Sequence, residues 1–341
     1  MSPRVLGTRA GGVEDDDFDD FDRASGYSRP RTKTRPNYAA APQGRVLGVD
    51  RGRFAVMLDD TRQTVVRAIK ARPLGRKSVV VGDHVRLGGD VTGADGTLAR
   101  IVEVLPRATL LRRSADDADP QERPLVANVD QLLIVAAAAD PPPRIGMIDR
   151  LIVAADVARI APIILVTKTD LAEPDEIAAA YADLGVPVLS TQPGAVLEPV
   201  RHLLSGHTTV LVGHSGVGKS TLINKLVPGA GRSTGDVNDV TGKGRHTSSS
   251  AVALPLDEPD TWVIDTPGVR SFGLAGVSAE SVVAAFPDIV GIADDCPRGC
   301  QHLTGTLDCA LDDAARDGRL GAARLASLRR MLTALAAHPD W

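Results

Sequence analysis

Residues 213–221 read Gly-His-Ser-Gly-Val-Gly-Lys-Ser-Thr and match the pattern G-x-x-x-x-G-K-[ST] at every position. They follow an apolar run, Thr208–Val212, and lead into a stretch with helical spacing, Lys219–Leu226. A strand, a glycine-rich loop and a helix in this order turn successive backbone N–H groups toward an anion at the helix N-terminus. The pattern therefore predicts a phosphate-binding loop made of Gly213, His214, Ser215, Gly216, Val217, Gly218, Lys219, Ser220 and Thr221. Lys219 is expected to contact the β- and γ-phosphates of a nucleoside triphosphate, and the Ser220 hydroxyl to bind Mg²⁺.

A second motif, Asp-Thr-Pro-Gly at 265–268, begins 45 residues after Ser220, at the end of the apolar run Thr261–Ile264. A carboxylate at the end of a strand beside a phosphate loop suits the Mg²⁺-binding role of a Walker B aspartate, here Asp265. Gly268 can offer its backbone N–H to a γ-phosphate because it has no side chain to obstruct the approach. The two motifs together predict binding and hydrolysis of a nucleoside triphosphate.

A third motif, Thr-Lys-Thr-Asp at 167–170, follows the apolar run Pro162–Val166. The carboxylate of Asp170 can accept hydrogen bonds from N1–H and the N2 amino group of guanine, which adenine cannot offer in that arrangement. The stem of Lys168 can lie along the ring. A surface turn is the alternative interpretation, and an ATP-using P-loop enzyme would require this motif to be accidental. The motif lies before Gly213, whereas in ordinary GTPases it follows the phosphate loop.

The region before these motifs differs in its hydrophobic pattern and in its charge. Residues 44–113 hold five short β-like runs and carry 14 Lys and Arg against 7 Asp and Glu, although the whole chain has a net charge of −4. The runs are Arg45–Asp50, Arg53–Leu58, Thr61–Ile69, Asp83–Leu87 and Leu98–Leu105. Short strands in this number predict a small closed barrel of the OB type, and its positive charge favours a nucleic-acid backbone as partner. A basic, solvated barrel face without nucleic acid is the alternative.

All three cysteines fall within Cys296-x3-Cys300-x-His302-x6-Cys309. Three thiolates and one imidazole form a complete tetrahedral set for a structural Zn²⁺ and leave no open position for catalysis. Too few cysteines are present for a disulfide framework, and clustered cysteines in a cytosolic protein favour a metal. We therefore predict one structural Zn²⁺, with reduced cysteines that bind no metal as the alternative.

The order of these motifs resembles the circularly permuted GTPases, and in particular the bacterial GTPases that depend on the small ribosomal subunit. The strings that carry the resemblance are the phosphate loop, Gly244-Arg-His-Thr-Ser248, the Asp-Thr-Pro-Gly motif and the Cys/His cluster. The resemblance implies GTP hydrolysis stimulated by the small subunit during its late maturation, with GTP/GDP and Mg²⁺ bound and the barrel on rRNA. It also implies that Thr247 senses the γ-phosphate and Mg²⁺. The guanine-binding set that it implies is Thr167, Lys168, Thr169, Asp170 and Ser190.

Two positions depart from the usual GTPase pattern. Val269 follows Gly268, where GTPases that orient their own water carry glutamine, and an aliphatic side chain cannot orient the attacking water. We therefore predict slow intrinsic turnover, with the missing group supplied by the ribosomal partner or by His246. Thr167 stands where many GTPases have asparagine, so that a hydroxyl replaces an amide.

The chain is thus predicted to be multi-domain: a small OB-type β-barrel, a circularly permuted P-loop α/β GTPase domain and a small helical zinc-binding domain. The predicted ranges are a disordered charged tail at 1–43, the barrel at 44–114, the GTPase domain at 115–275 and the zinc-binding domain at 276–341. The longest purely apolar run has 8 residues, well below the ~20 that span a bilayer, so a cytoplasmic monomer with no membrane contact is expected. The alternative function is a nucleotide-gated RNA-binding regulator whose turnover is incidental.

Overall fold

The computed structural model of the chain describes residues 38–75, 78–114, 122–228, 230, 251–266 and 277–337. The first part is a closed barrel of five strands in the order β1-β2-β3-β5-β4, in which β1 also pairs with β4 and so closes the ring. Only the β3–β5 pairing is parallel. The strands are β1 (Gln43–Asp50), β2 (Arg53–Leu58), β3 (Val65–Lys70), β4 (His84–Gly89) and β5 (Ala99–Val104). The predicted OB-like barrel is therefore confirmed.

Alternation of buried and exposed side chains builds this barrel. Val46, Val56, Val66, Val85 and Ile101 point inward from successive strands and form the core with Phe54 and Leu87. The third strand starts four residues later than the sequence predicts, because Asp60 holds the preceding turn. Its carboxylate accepts hydrogen bonds from the Thr64 backbone N–H at 3.0 Å and from the Thr64 hydroxyl at 2.8 Å.

A hairpin of β6 (Leu110–Ser114) and β7 (Glu122–Ala127) follows the barrel. The sequence pattern does not predict this hairpin. The hairpin lies across the predicted boundary at residue 114, and the domain boundaries stay a prediction. Arg107 fastens the segment before the hairpin to the barrel, because its guanidinium donates to both carboxylate oxygens of the buried Asp83, at 2.6 and 2.8 Å.

The second sheet is mostly parallel, in the order β10-β9-β8-β11-β13-β12, with only β12 antiparallel. Its strands are β8 (Gln131–Ala137), β9 (Ala161–Thr167), β10 (Val188–Ser190), β11 (Thr208–Val212), β12 (Val252–Pro255) and β13 (Trp262–Asp265). Its helices are α1 (Ile145–Val157), α2 (Asp175–Tyr181), α3 (Glu198–Leu204) and α4 (Lys219–Leu226). Because β11 lies between β8 and β13, the loops that follow these three strands meet at one edge, where α/β sheets bind ligands.

The barrel and this sheet are joined directly. Gly48 of β1 pairs with Val252 of β12. Nearby, the guanidinium of Arg45 donates to the Thr208 hydroxyl at 3.0 Å and lies 4.9 Å from the ring centroid of Trp262. The contact is at the start of β11, the end of that strand opposite the phosphate loop.

The C-terminal part is a bundle of α5 (Ala279–Ala284), α6 (Pro287–Ala293), α7 (Ala310–Arg316) and α8 (Ala322–Ala337). Leu325, Leu328 and Leu332 repeat at helical spacing and are buried, so this face of α8 packs into the core of the bundle. The bundle core extends onto Val153 of α1. Among the helices that the structure describes, none is long and apolar enough to cross a membrane.

Candidate functional site

The predicted phosphate loop connects the buried strand β11 to α4. Gly213 is required by close packing, since a Cβ at this position would lie 2.2 Å from the carbonyl oxygen of Val135 in β8. Gly216 and Gly218 have φ angles of +84° and +95°, a region that favours glycine. Val217 is 3% exposed and anchors the middle of the loop in the sheet core. The sequence thus folds here into a tight turn held on both sides by the sheet.

Lys219 folds back over this loop. Its ammonium group donates to the carbonyl oxygens of Gly213 at 2.5 Å and His214 at 2.8 Å. Burial lowers the pKa of Lys219 to about 8, because the surroundings disfavour the charged form. An anion in the loop would restore the charge, so the position suits a phosphate-binding lysine.

Asp265 ends β13 beside the phosphate loop, in register with Leu211 of β11. Its side chain is 4% exposed. The next residue, Thr266, donates its hydroxyl proton to the Leu211 carbonyl at 2.7 Å. This bond fixes the end of β13 against the strand that carries the phosphate loop.

Thr167 connects the third motif to the phosphate loop. Its hydroxyl oxygen lies 2.6 Å from the Val217 carbonyl oxygen and 3.2 Å from that of Ala136 in β8. The hydroxyl has one proton to donate, and the shorter contact to Val217 takes it. The Thr167 hydroxyl at the end of β9 is thus bonded to the phosphate loop that follows β11. Threonine makes this connection although it lacks the amide group that asparagine has at this position in many GTPases.

Lys168 has a φ angle of +56°, and Asp140, after β8, has one of +43°. The ammonium group of Lys168 donates to the Asp140 carbonyl oxygen and lies 3.9 Å from the carboxylate oxygen Oδ2 of Asp140. Left-handed backbone at residues other than glycine is costly and concentrates at functional sites. The two adjoining strand ends therefore form one strained junction.

The remaining predicted base-binding residues occupy the outer end of this edge. Asp170 is exposed, and Ser190 ends β10 in register with Val166 of β9. Thr169 connects the ends of β9 and β10, since its backbone N–H and hydroxyl lie 3.4 and 3.3 Å from the Thr191 carbonyl oxygen.

The structure thus brings the phosphate loop, Asp265, the Thr-Lys-Thr-Asp motif and Ser190 to one edge of the sheet. Other parts of the chain named in the sequence analysis lie outside the described residues. They are residues 1–37 of the predicted tail, the string 244–248 with His246 and Thr247, and Gly268 and Val269.

The second candidate site is the Cys/His cluster between α6 and α7. The sulfur atoms of Cys296, Cys300 and Cys309 lie 3.5, 3.5 and 3.9 Å from Nδ1 of His302, and the four ligand atoms all lie within 4.8 Å of one another. Zn–S and Zn–N bonds of about 2.3 and 2.0–2.1 Å at tetrahedral angles put S and N about 3.6 Å apart. None of the three cysteines is in a disulfide. Donor chemistry and spacing therefore fit a structural Zn²⁺.

The loop that carries the cluster is held by its neighbours. The backbone N–H of Ala310 donates to the Cys296 sulfur at 3.3 Å. Arg329 of α8 donates to the His302 carbonyl at 3.1 Å and to the Asp312 carboxylate at 2.9 Å. Burial raises the pKa of the Cys296 thiol to about 11, so that a cation is needed to hold the thiolate form of this sulfur at neutral pH.

Sequence reasoning missed two residues at the nucleotide-binding edge. Thr266 lies inside a motif that was recognised, but its hydroxyl contact depends on the neighbouring strand. Asp140 begins the run Asp-Pro-Pro-Pro at the end of an apolar stretch. A polar residue after a buried strand is the one signal that could have found it.

A phosphate loop on the central strand, with the predicted guanine motif on a strand earlier in the chain, defines the class of circularly permuted P-loop GTPases. The sequence model of the RsgA GTPase family matches residues 104–275. The small ribosomal subunit biogenesis GTPase RsgA of Ectopseudomonas mendocina (strain ymp) is 39% identical over 269 residues, which cover 76% of this chain and 75% of that protein. The chain belongs to the RsgA GTPase family, and it is therefore an enzyme that hydrolyses GTP to GDP and phosphate.

Two solved structures share this fold. The crystal structure of YloQ, a circularly permuted GTPase, is 25% identical and covers 87% of this chain and 96% of its own, with a TM-score of 0.63. The crystal structure of YjeQ from Thermotoga maritima is 24% identical and covers 86% of this chain and 98% of its own, with a TM-score of 0.66. The predicted fold class, with barrel, permuted GTPase domain and helical Cys/His region, is confirmed.

Proposed function

We propose that this GTPase acts in the late maturation of the small ribosomal subunit, in the cytoplasm and as a monomer, and that hydrolysis releases it from the subunit. Relatives at 37–39% identity carry the name small ribosomal subunit biogenesis GTPase. The observation that carries the proposal is the meeting of the phosphate loop and the Thr-Lys-Thr-Asp motif at one sheet edge, in permuted order. The regulator with incidental turnover is not favoured, because these relatives are named as GTPases.

On the phosphate side, Lys219 would contact the β- and γ-phosphates, and the Ser220 hydroxyl would hold Mg²⁺, which would neutralise phosphate charge. Asp265 would hold the same ion, and the position of its strand end beside the loop supports this role. Thr247 and Gly268 complete the γ-phosphate contacts in this proposal. The backbone N–H groups of residues 213–218 supply the remaining donors.

On the base side, Asp170 reads guanine and the stem of Lys168 lies along the ring. Thr167 contributes through the phosphate loop, since its hydroxyl is bonded to Val217 rather than directed to solvent. Ser190 supplies a weaker second contact to the base. The contact between Thr169 and Thr191, the residue after Ser190, supports this arrangement because it holds the ends of β9 and β10 together.

Hydrolysis requires a group that orients water, and Val269 cannot be that group. We assign this role to His246 or to the ribosomal partner, so that intrinsic turnover stays slow until the subunit is bound. A slow intrinsic rate suits a factor whose release must wait for its partner.

One Zn²⁺ held by Cys296, Cys300, His302 and Cys309 would give the C-terminal bundle a fixed loop. A closed set of four protein ligands leaves no position for substrate. The role of the ion is therefore structural, and it couples folding of the loop to metal binding.

The barrel face that we assign to rRNA is the outer side of β2, β3 and β5. Arg53 lies opposite Ile69, and Ile69 lies opposite Arg100, while Arg67 is two residues before Ile69 on the same face. All three arginines are exposed, and no ion pair joins any of them to another residue in the part of the chain that the structure describes. Three exposed guanidinium groups on adjacent strands suit contacts to phosphate groups.

A GTPase assay with and without purified small ribosomal subunits tests the proposal. We expect slow GTP hydrolysis by the protein alone and a large stimulation by small subunits, with large subunits as the control. Lys219→Ala should abolish turnover in both conditions. Equal rates with and without small subunits would refute the ribosomal role, and a preference for ATP over GTP would refute the base assignment.

A further inference from the structure

Asp149 of α1 is a carboxylate only 1% exposed, and other helices supply its hydrogen bonds. The Tyr181 hydroxyl at the end of α2 donates to Oδ1 at 2.8 Å, and Nε of Arg330 in α8 donates to Oδ2 at 2.9 Å. The Ser327 hydroxyl of α8 lies 3.4 Å from Oδ1. A buried charge is stable only where such partners hold it, so α1 is held in a defined position by α2 and α8.

The same phenol reaches the first turn of α1. The hydroxyl oxygen of Tyr181 lies 3.1 Å from the carbonyl oxygen of Ile145, the first residue of the helix. Burial and the nearby Asp149 raise the pKa of Tyr181, so its hydroxyl stays protonated and donates. The phenol has one proton to donate, and the shorter bond to Asp149 takes it, so the 3.1 Å contact to Ile145 packs the start of α1 against Tyr181 without a second hydrogen bond.

A stiff segment joins the start of α1 to the nucleotide-binding edge. Three consecutive prolines, 141–143, separate Asp140 from Arg144, and each proline ring fixes its φ angle. Pro141 lies near the phosphate loop, since its Cδ is 3.7 Å from where a Cβ on Gly216 would be. The Asp140 carbonyl at the other end accepts the hydrogen bond from Lys168. A displacement of α1 would therefore move the partner of Lys168.

We propose that Arg330 and Tyr181 are positioning residues for the guanine site, so that α8 of the C-terminal bundle sets nucleotide affinity through Asp149, α1 and the Asp140–Lys168 contact. This inference rests on the proposed role of Lys168 in base binding. Under this proposal the guanine site needs α8 for full affinity, although α8 begins more than 150 residues after Asp170 in the chain. A partner that displaces α8 lowers nucleotide affinity, and nucleotide in turn favours the docked helix, because coupling between two binding sites is reciprocal.

The test is a double-mutant cycle on the Kd for GDP, measured with the full chain by titration of a fluorescent GDP analogue. The variants are Arg330→Met, Tyr181→Phe and Lys168→Met, with each of the first two combined with the third. Mutations along such a network change coupling by a factor of about 2 to 30, so Arg330→Met and Tyr181→Phe should each raise the Kd by that factor. In the Lys168→Met background neither should raise it further.

Asp288→Asn is the matched control. Asp288 of α6 accepts from Nε of Arg324 in α8 at 2.9 Å, so this change also removes an ion pair of α8, but one inside the bundle. It should lower the melting temperature and leave the Kd within twofold. Tyr181→Phe keeps the ion pair of Asp149, and it carries the test if Arg330→Met does not fold.

The outcomes distinguish a failure of this inference from a failure of the proposed role of Lys168 in base binding. If Lys168→Met leaves the Kd for GDP unchanged, the proposed role of Lys168 is wrong and the inference falls with it. If Lys168→Met weakens binding but Tyr181→Phe does not, or acts equally in both backgrounds, the positioning role alone is wrong. An equal loss of affinity in Asp288→Asn would also overturn it, since general destabilisation would then explain the effect.

Discussion

Replacing Thr167 by valine should weaken GDP binding without removing any group that touches the nucleotide. Valine has nearly the same shape as threonine and lacks only the hydroxyl, which donates to the Val217 carbonyl in the middle of the phosphate loop. In a trans peptide the C=O and the following N–H point in opposite directions. The bond from Thr167 therefore turns the Gly218 N–H away from β9, and without it this peptide unit is free to rotate.

The magnitude follows from the hydrogen bond. A buried neutral hydrogen bond contributes about 0.5–1.5 kcal/mol, and an acceptor left unsatisfied costs about 1–3 kcal/mol. Thr167 is 7% exposed, so water does not readily replace its hydroxyl. If about 1.4 kcal/mol of this loss appears in the nucleotide-binding equilibrium, the Kd for GDP rises about tenfold.

Thr209→Val is the matched control. Thr209 lies fully buried on β11, and its hydroxyl is 3.0 Å from the Gln131 side-chain oxygen, at the strand end away from the phosphate loop. Both variants should lose similar stability in urea unfolding, but only Thr167→Val should lose affinity in a fluorescence titration with GDP. An unchanged Kd in Thr167→Val, or an equal rise in Thr209→Val, would refute the reasoning.

Four further predictions concern base choice, pH, hydrolysis and metal. Asp170→Asn should shift preference from GTP to xanthosine triphosphate in a hydrolysis assay, and unchanged preference would count against Asp170 as the base reader. Since burial lowers the pKa of Lys219 to about 8, the free protein loses this positive charge as pH rises through 8. Its Kd for GDP should therefore rise up to tenfold per pH unit above 8, whereas Lys219→Arg should show no such rise. His246→Ala should slow hydrolysis on the small subunit at least tenfold, and a normal rate would exclude His246. Elemental analysis should find one zinc per chain, and Cys300→Ser should lose zinc and melt at lower temperature, whereas stable metal-free protein would contradict the zinc assignment.

Local patterns in the sequence were enough to predict most of the fold. Each barrel strand alternates buried and exposed residues, and each parallel strand is a short, mostly apolar run, so both leave a clear signal. The hairpin of β6 and β7 does not. Its strands carry Arg112, Arg113 and Arg123 and include Pro124, a residue type that weakens a strand prediction. Leu111, Val126 and Ala127 are buried, but they lie at one end of the hairpin and form no repeated apolar alternation along either strand.

The motifs of the candidate site were predictable, but the contacts that align them were not. Thr167 and Val217 are 50 positions apart, and Asp149 and Arg330 are 181 apart. A hydroxyl or carboxylate that finds its partner over such separations leaves no periodic pattern in the sequence around it. The sequence predicts which residues have suitable chemistry, whereas packing of the strands and helices decides which of them meet.

The permuted chain order gives the C-terminal bundle two different connections to the nucleotide-binding edge. Along the chain, β13 ends at Asp265 and the next described helix is α5, the first helix of the bundle. In space, the bundle packs on α1 and α2, which belong to the base-binding side of the sheet. In the ordinary order the strand that ends in Asp-x-x-Gly is followed by the strands of the guanine motif, so a C-terminal bundle would not be continuous with it. The permutation therefore places one bundle in sequence with the phosphate side and in contact with the base side. No substitution within an ordinary chain order could produce that arrangement.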